Sequence, residues 1–447
     1  MKEKKQILGL NRFEKNERVA LDAGLANQIV RRQTTQGASS VLFYQQPIEM
    51  VSAQGVWMYD AAGNKYLDMY NNVPSVGHCH PKVVEAMYRQ AGLLNTNTRY
   101  LFPVLERYSE TLLATFPAPL TNVVFTCTGS ESNDIALRIA RMATGRQGII
   151  VTESAYHGNT TAVMEVSPSG HKRQPLPPYV RTVPAPDAST LQPGQRVEEV
   201  FADAVQSAMD SLAAEGFGCA ALLVDTIFSS DGVYADPPGF LGLAVARVRA
   251  GGGLFIADEV QPGFGRTGTH YWCFQRHGLV PDIVTLGKPM GNGFPMAAVV
   301  TRPALLERFS QETEYFNTFG GNPVAAAVGL AVLQVIREEE LIANAGHCGH
   351  YLRAGLRSLT VQYPAISDVR GAGLFNAVEF RQPDSKEPDT ALTQQVINEL
   401  KSEGILIGAA GAYGNSLKIR PPLCFSISNA DFFIDKFAAV MSRCHRN

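Results

Sequence analysis

The sequence predicts an α/β protein: a large domain whose mainly parallel β-sheet is covered by helices, joined to a smaller α+β domain. Three observations predict it. Between about residues 75 and 320, short apolar runs of strand length alternate with helical segments, as expected of strands buried on both faces. Beyond residue 340, helical patterns alternate with short strand-like runs at 373–380 and 417–419. The chain's 447 residues can bury a large core, yet they exceed one small compact domain.

The elements follow in order. Residues 1–40 are polar and irregular, with a helical patch around 14–31, and read as an arm that packs on a partner subunit. The runs 56–59 and 65–69 flank Asp60-Ala61-Ala62-Gly63-Asn64, which is turn chemistry, and form a hairpin. Strands are expected at 123–127, 148–152, 220–224, 254–257, 283–286 and 296–300. The proline-rich stretch 175–186 reads as a surface loop. Pro323 after Asn322 starts an apolar helix, because proline at the first helical position forfeits no needed donor. The expected division is an arm and hairpin at 1–70 belonging to the small domain, a large domain at 71–322, and a C-terminal small domain at 323–447.

Composition narrows the partners. A formal net charge of -2 leaves no basic excess for a nucleic-acid backbone or an anionic membrane, so small molecules are the expected ligands. The 7 cysteines are scattered and form no pair at zinc-ligand spacing, which fits reduced thiols and no metal. The lysine-bearing start lacks the apolar run of a secretory signal, and the longest apolar stretch, 323–336, is short of the roughly 20 residues that span a bilayer. A cytoplasmic location is expected.

The first five expected strands of the large domain each end beside a polar or ionisable cluster: Gly129-Ser130, Tyr156-His157, Asp225, Asp258 and Lys288. Ligands of open α/β sheets bind beyond the carboxyl ends of the strands, so these ends are candidates to converge on one site. Any one of them alone has a plain structural explanation. Asp258 suits a loop carboxylate, Lys288 a solvated lysine, Ser130 a helix cap, Tyr156 core packing and Arg420 a structural ion pair.

Two long segments add to that reading. Residues 255–268 read FIADEVQPGFGRTG, and about thirty residues after Asp258 the segment 285–293 reads TLGKPMGNG. Together they resemble the signature of the class III, fold type I, pyridoxal-phosphate-dependent aminotransferases, and the resemblance extends over most of the chain. It implies that Lys288 holds pyridoxal 5'-phosphate as a Schiff base and that Asp258 pairs with the ring nitrogen. In 123–141, VVFTCTGSESNDIALRIAR, a strand, turn and helix resemble the family's phosphate-binding turn at Gly129 and Ser130, although Ser132 stands where alanine is usual. A helix start with free N–H groups is a natural phosphate cup. The resemblance further implies Tyr156 and Val260 on the two ring faces and Gln261 at the ring hydroxyl. It implies Thr318 of NTFGGNP reaching the phosphate of a neighbouring subunit's cofactor, hence a homodimer with shared sites.

The segment LKIRPPL at 417–423 resembles the substrate-anchor strand, which makes Arg420 a carboxylate-gripping fork and Asp225 its acidic partner. Asp225 is one methylene shorter than the usual glutamate, and Phe228 replaces a usual glutamine. NNVPSVGHCHP at 71–81 and LNTNTRY at 94–100 are similar to the branch containing phospho-lyases and ammonia-lyases of phosphorylated or phosphonate amines. With no partner cluster at ligand spacing, His78, Cys79 and His80 read as structural. The expected activity is transfer of an amino group from an amino acid or amine to a 2-oxo acid. The alternative is a lyase that eliminates ammonia or phosphate from a phosphate- or phosphonate-bearing amine.

Overall fold

A computed structural model describes residues 9–14, 21–171 and 174–446. The central sheet has seven strands in the order Asn122–Thr126, Ala297–Thr301, Ile283–Leu286, Leu254–Asp258, Cys219–Asp225, Gly148–Thr152, Val180–Val183. All neighbours pair in parallel except Ala297–Thr301, which runs antiparallel to the strands on both its sides. The strands are apolar throughout because both faces are covered. Alternate residues show it: Leu222, Val224, Phe255 and Ala257 pack in the core that holds Phe201, Val205 and Val248. Ala221, Leu223 and Ile256 pack on the other face against Ile135, Leu137 and Ile139 of the helix Gly129–Thr144.

The expected strands fall within a residue of the observed ones, and 148–152 and 283–286 coincide with them. One expectation needs correction. The proline-rich stretch 175–186 is not all loop, since Val180–Val183 forms the edge strand beside Gly148–Thr152. Pro177, Pro178 and Pro184 flank that strand and leave its own amides free to pair, which is how proline coexists with a sheet edge.

Two smaller sheets complete the chain. The expected hairpin is Trp57–Asp60 with Lys65–Asp68, joined by Met50–Gln54 on one side and by Ile405–Leu406, in parallel, on the other. Asp60 shapes its turn by accepting from Ala62 N and Asn64 N. The other sheet has the order Ile366–Ala372, Phe375–Phe380, Ser416–Ile419, Gly408–Ala410. The helix expected at Pro323 runs Pro323–Glu338, capped by the Asn322 side chain. Part of the helical patch expected at 14–31 lies outside the described residues; within them a helix spans Ala23–Gln36. Among the described residues, no helix is long and apolar enough to cross a membrane.

Glu259 is a buried fastener beneath the sheet's carboxyl edge. Its carboxylate accepts from Thr226 Oγ1, Cys273 N and Phe274 N, each at 2.8 Å, and so ties the strand Leu254–Asp258 to the start of the helix Cys273–Arg276. An amide offers one acceptor oxygen and would turn an N–H toward a donor. Glu259→Gln is therefore expected to cost about 1–3 kcal/mol of unfolding free energy in urea titration. An unchanged midpoint would show that the fastener carries no such load.

Candidate active site

A cavity of about 380 Å³ opens at the carboxyl ends of the central strands. Its lining brings together Gly129, Ser130, Tyr156, Asp225, Asp258, Val260, Gln261 and Lys288. Eight of the ten expected site residues thus meet in one place, delivered by separate turns of the sheet. Arg420 lies behind the wall, donating from Nη1 to Gln261 Oε1 at 2.5 Å. Thr318 is on the exposed surface of this chain, in the loop before Pro323.

The turn after Asn122–Thr126 builds an anion cup. Thr128, not Ser130, caps the helix Gly129–Thr144: its Oγ1 accepts from Glu131 N at 3.2 Å, and Glu131 Oε2 accepts from Thr128 N at 3.0 Å. With the cap supplied from outside, the amides of Gly129 and Ser130 have no protein acceptor among the described residues. They meet the cavity with the positive end of the helix dipole. Ser130 Oγ is fixed by Asn159, accepting from its N at 3.1 Å and donating to its Oδ1 at 3.0 Å. Gly158 makes that approach possible, since a Cβ there would stand 2.4 Å from Ser130 Oγ and its φ is +146°. Ser132, the departure from the usual alanine, is fully buried and bonds Thr126 Oγ1 at 2.8 Å and Leu286 O at 3.3 Å, which locks the turn to two strands.

The Asp258 side chain is hydrogen-bonded to three groups: His157 Nδ1 at 2.7 Å, Asn133 Nδ2 at 3.0 Å and Val260 N at 3.0 Å. His157 and Asn133 are both buried, and neither is among the ten site residues expected from the sequence. His157 was signalled by its place beside Tyr156. Asn133 carried no signal, because only the fold turns the first face of its helix onto a strand 125 residues away.

Lys288 follows the strand Ile283–Leu286 and projects into the cavity, where its side chain is accessible although the surroundings are deep in the protein. It makes no hydrogen bond or ion pair among the described residues. Burial and the nearby Arg420 guanidinium lower its amine pKa, while Asp258 and Asp225 oppose that shift. A depressed amine pKa raises the neutral, nucleophilic fraction. The backbone of Lys288 sits at φ +30°, outside the ordinary range for a side-chain-bearing residue. Strain of this kind collects at functional positions.

Asp225 ends the strand next to Asp258, and the two are paired in register. Burial and the Asp258 charge raise its pKa. Its carboxylate accepts from Ile227 N at 3.1 Å and Ser229 N at 3.3 Å, and no ion pair joins it to Arg420. His78 and His80 each spend a ring nitrogen on a carboxylate, Asp68 at 2.8 Å and Glu339 at 3.0 Å.

Pyridoxal phosphate fits this arrangement. The free helix amides suit its phosphate, the cavity amine its aldehyde, and the cradled carboxylate its ring nitrogen. Tyr156 and Val260 line the space between these groups.

Comparison with known proteins points the same way. Residues 41–441 match the family described as aminotransferase class-III. The chain is 41% identical to a Drosophila melanogaster protein named alanine–glyoxylate aminotransferase 2-like, covering 89% of this chain and 83% of that one. It is 40% identical to ethanolamine-phosphate phospho-lyase homolog 1 of Caenorhabditis elegans, covering 89% and 90%. Among solved structures, a phospholyase from Arthrobacter in complex with phosphoethanolamine superposes with a TM-score of 0.90 at 42% identity, covering 93% of this chain and 99% of that one. This chain belongs to the class III aminotransferase family of pyridoxal-phosphate-dependent enzymes.

Proposed function

We propose that this enzyme eliminates the phosphate or ammonia of a small amine that carries a phosphate or phosphonate group, in the site built around Lys288 and Asp258. The observation that carries this reading is the unmasked cation Arg420. It is buried, and among the described residues no carboxylate lies within ion-pair distance of it; Asp225, its expected mask, is bonded to backbone amides instead. An enzyme that alternates between charged and uncharged substrates needs that mask. An enzyme of one anionic substrate does not. The similarity to a phospho-lyase homolog and to a phospholyase structure supports the same choice.

When bound, pyridoxal phosphate supplies an aldehyde that captures the substrate amine and a ring that accepts the electrons of the broken Cα–H bond. Gly129 and Ser130 hold its phosphate. Asp258, pinned by His157 and Asn133, keeps the ring nitrogen protonated. Tyr156 and Val260 flank the ring, and Gln261, whose Oε1 is taken by Arg420, has its Nε2 left to donate to the ring hydroxyl. Lys288 removes the Cα proton, and its cavity-facing amine is free to do so. For a phosphorylated amine, the Cβ–O bond then breaks, phosphate leaves with the electron pair, and one water is consumed as ammonia and an aldehyde are released.

Transamination is the second reading. Two substrates that both end in a carboxylate also need no mask, and the Drosophila relative is named an aminotransferase. A homodimer completes either reading. Leu93, Leu101 and Phe319 are 79%, 88% and 70% exposed, and Arg99 stacks on Phe316 at 4.3 Å, which joins the segments around them into one apolar face beside Thr318. Monomers rarely leave such a face open, and a twofold copy is the commonest cover.

Incubation with 2-aminoethyl phosphate and no 2-oxo acid is expected to release phosphate and ammonia in equal amounts. Alanine formation from pyruvate, with no acceptor-free release from phosphorylated or phosphonate amines, would establish the second reading instead. Asp258→Asn is expected to slow exchange of the substrate Cα proton with deuterated water by at least about 100-fold, read by NMR, while cofactor remains bound. An unchanged exchange rate would remove Asp258 from the chemistry.

A further inference from the structure

We infer that Lys418 and Arg420 form a two-cation cradle that selects substrates ending in a doubly charged phosphate or phosphonate over those ending in a carboxylate. This rests on the proposal that the substrate amine carries an anionic end, and it adds which anion and which residue decides.

Lys418 and Arg420 are two apart in and just beyond the strand Ser416–Ile419, so their side chains leave the same face. Both are buried, 3% and 5% exposed. The same ring lies under both, with the Lys418 Nζ 5.8 Å and the Arg420 Cζ 5.7 Å from the Phe375 centroid. Among the described residues the Lys418 amine makes no hydrogen bond and no ion pair. A lysine amine enclosed without a bonded counter-ion is costly, and natural proteins rarely keep one without a use.

The charged groups that act on it are Arg420 on its own strand, Lys288 from the cavity lining, and Asp225 and Asp231 from the end of the sheet. Asp231 is occupied by Thr152 Oγ1 at 2.7 Å and Ser154 N at 3.1 Å. Asp225 is occupied by backbone amides. Neither acid is bonded to the lysine. Burial and Arg420 hold its amine pKa well below the ordinary value. An arriving dianion supplies the missing counter-charge and favours the ammonium form, whereas a carboxylate is fully served by the planar fork of Arg420 alone. Lys418 is thus the residue that makes the second negative charge count.

The test compares 2-aminoethyl phosphate with β-alanine, amines of similar length that end in phosphate and carboxylate. Their binding to the holoenzyme is read from the change in cofactor absorbance, independently of products. The wild type is expected to prefer the phosphate, and Lys418→Gln to weaken phosphate binding by about tenfold or more while moving β-alanine less than about threefold. Lys418→Met, of similar shape, serves if the first variant is unstable. Equal losses for both ligands, no loss for either, or a wild type without the preference would overturn the inference. A binding preference without acceptor-free product release would sink the elimination reading and leave the cradle standing.

Discussion

The site depends on one buried contact, the carboxylate of Asp258 held by His157, Asn133 and the Val260 amide. Those three donors come from three segments: the loop after Gly148–Thr152, the helix Gly129–Thr144, and the turn after Leu254–Asp258. To satisfy one carboxylate, the fold must bring those segments together, and doing so closes the anion cup and one wall of the cavity. Charge-assisted bonds in a dry interior are strong, and leaving any of them unmade costs more than an ordinary hydrogen bond contributes. The same interaction therefore positions the chemistry and stabilises the edge of the sheet that carries it.

Around that contact the surroundings are tuned in opposite directions. Burial raises the pKa of Asp225 and lowers those of Lys288 and Lys418, so in each case burial favours the uncharged form. Groups poised in this way change charge state in response to a bound ligand, and under the proposed function the ligand's own charges would decide how well it is held.

Much of this was legible in the residues themselves. Apolar runs of strand length bounded by polar ends mark six of the seven central strands to within a residue, because a doubly covered parallel strand must be apolar throughout. Asp258, Lys288, Gly129 and Ser130 stood at the ends of those runs, where α/β sheets place ligands. What could not be read is what depends on distant pairing. Asn133 looks like any helix residue until the helix is laid on the sheet. The strand Val180–Val183 hid among prolines, since an edge strand needs few residues. The bonding of Arg420 to Gln261 rather than to Asp225 is a matter of a few ångströms that residue identity does not encode, and the isolation of Lys418 is visible only once its neighbours' partners are known.

The most direct measurement of the central claim locates the cofactor on the chain. Borohydride reduction of the holoenzyme, followed by proteolysis and mass spectrometry, is predicted to place the pyridoxyl phosphate mass on the Lys288 side chain and to leave Lys418 unmodified. Attachment to another lysine, or no covalent attachment at all, would contradict the account of a ring held between Lys288 and Asp258.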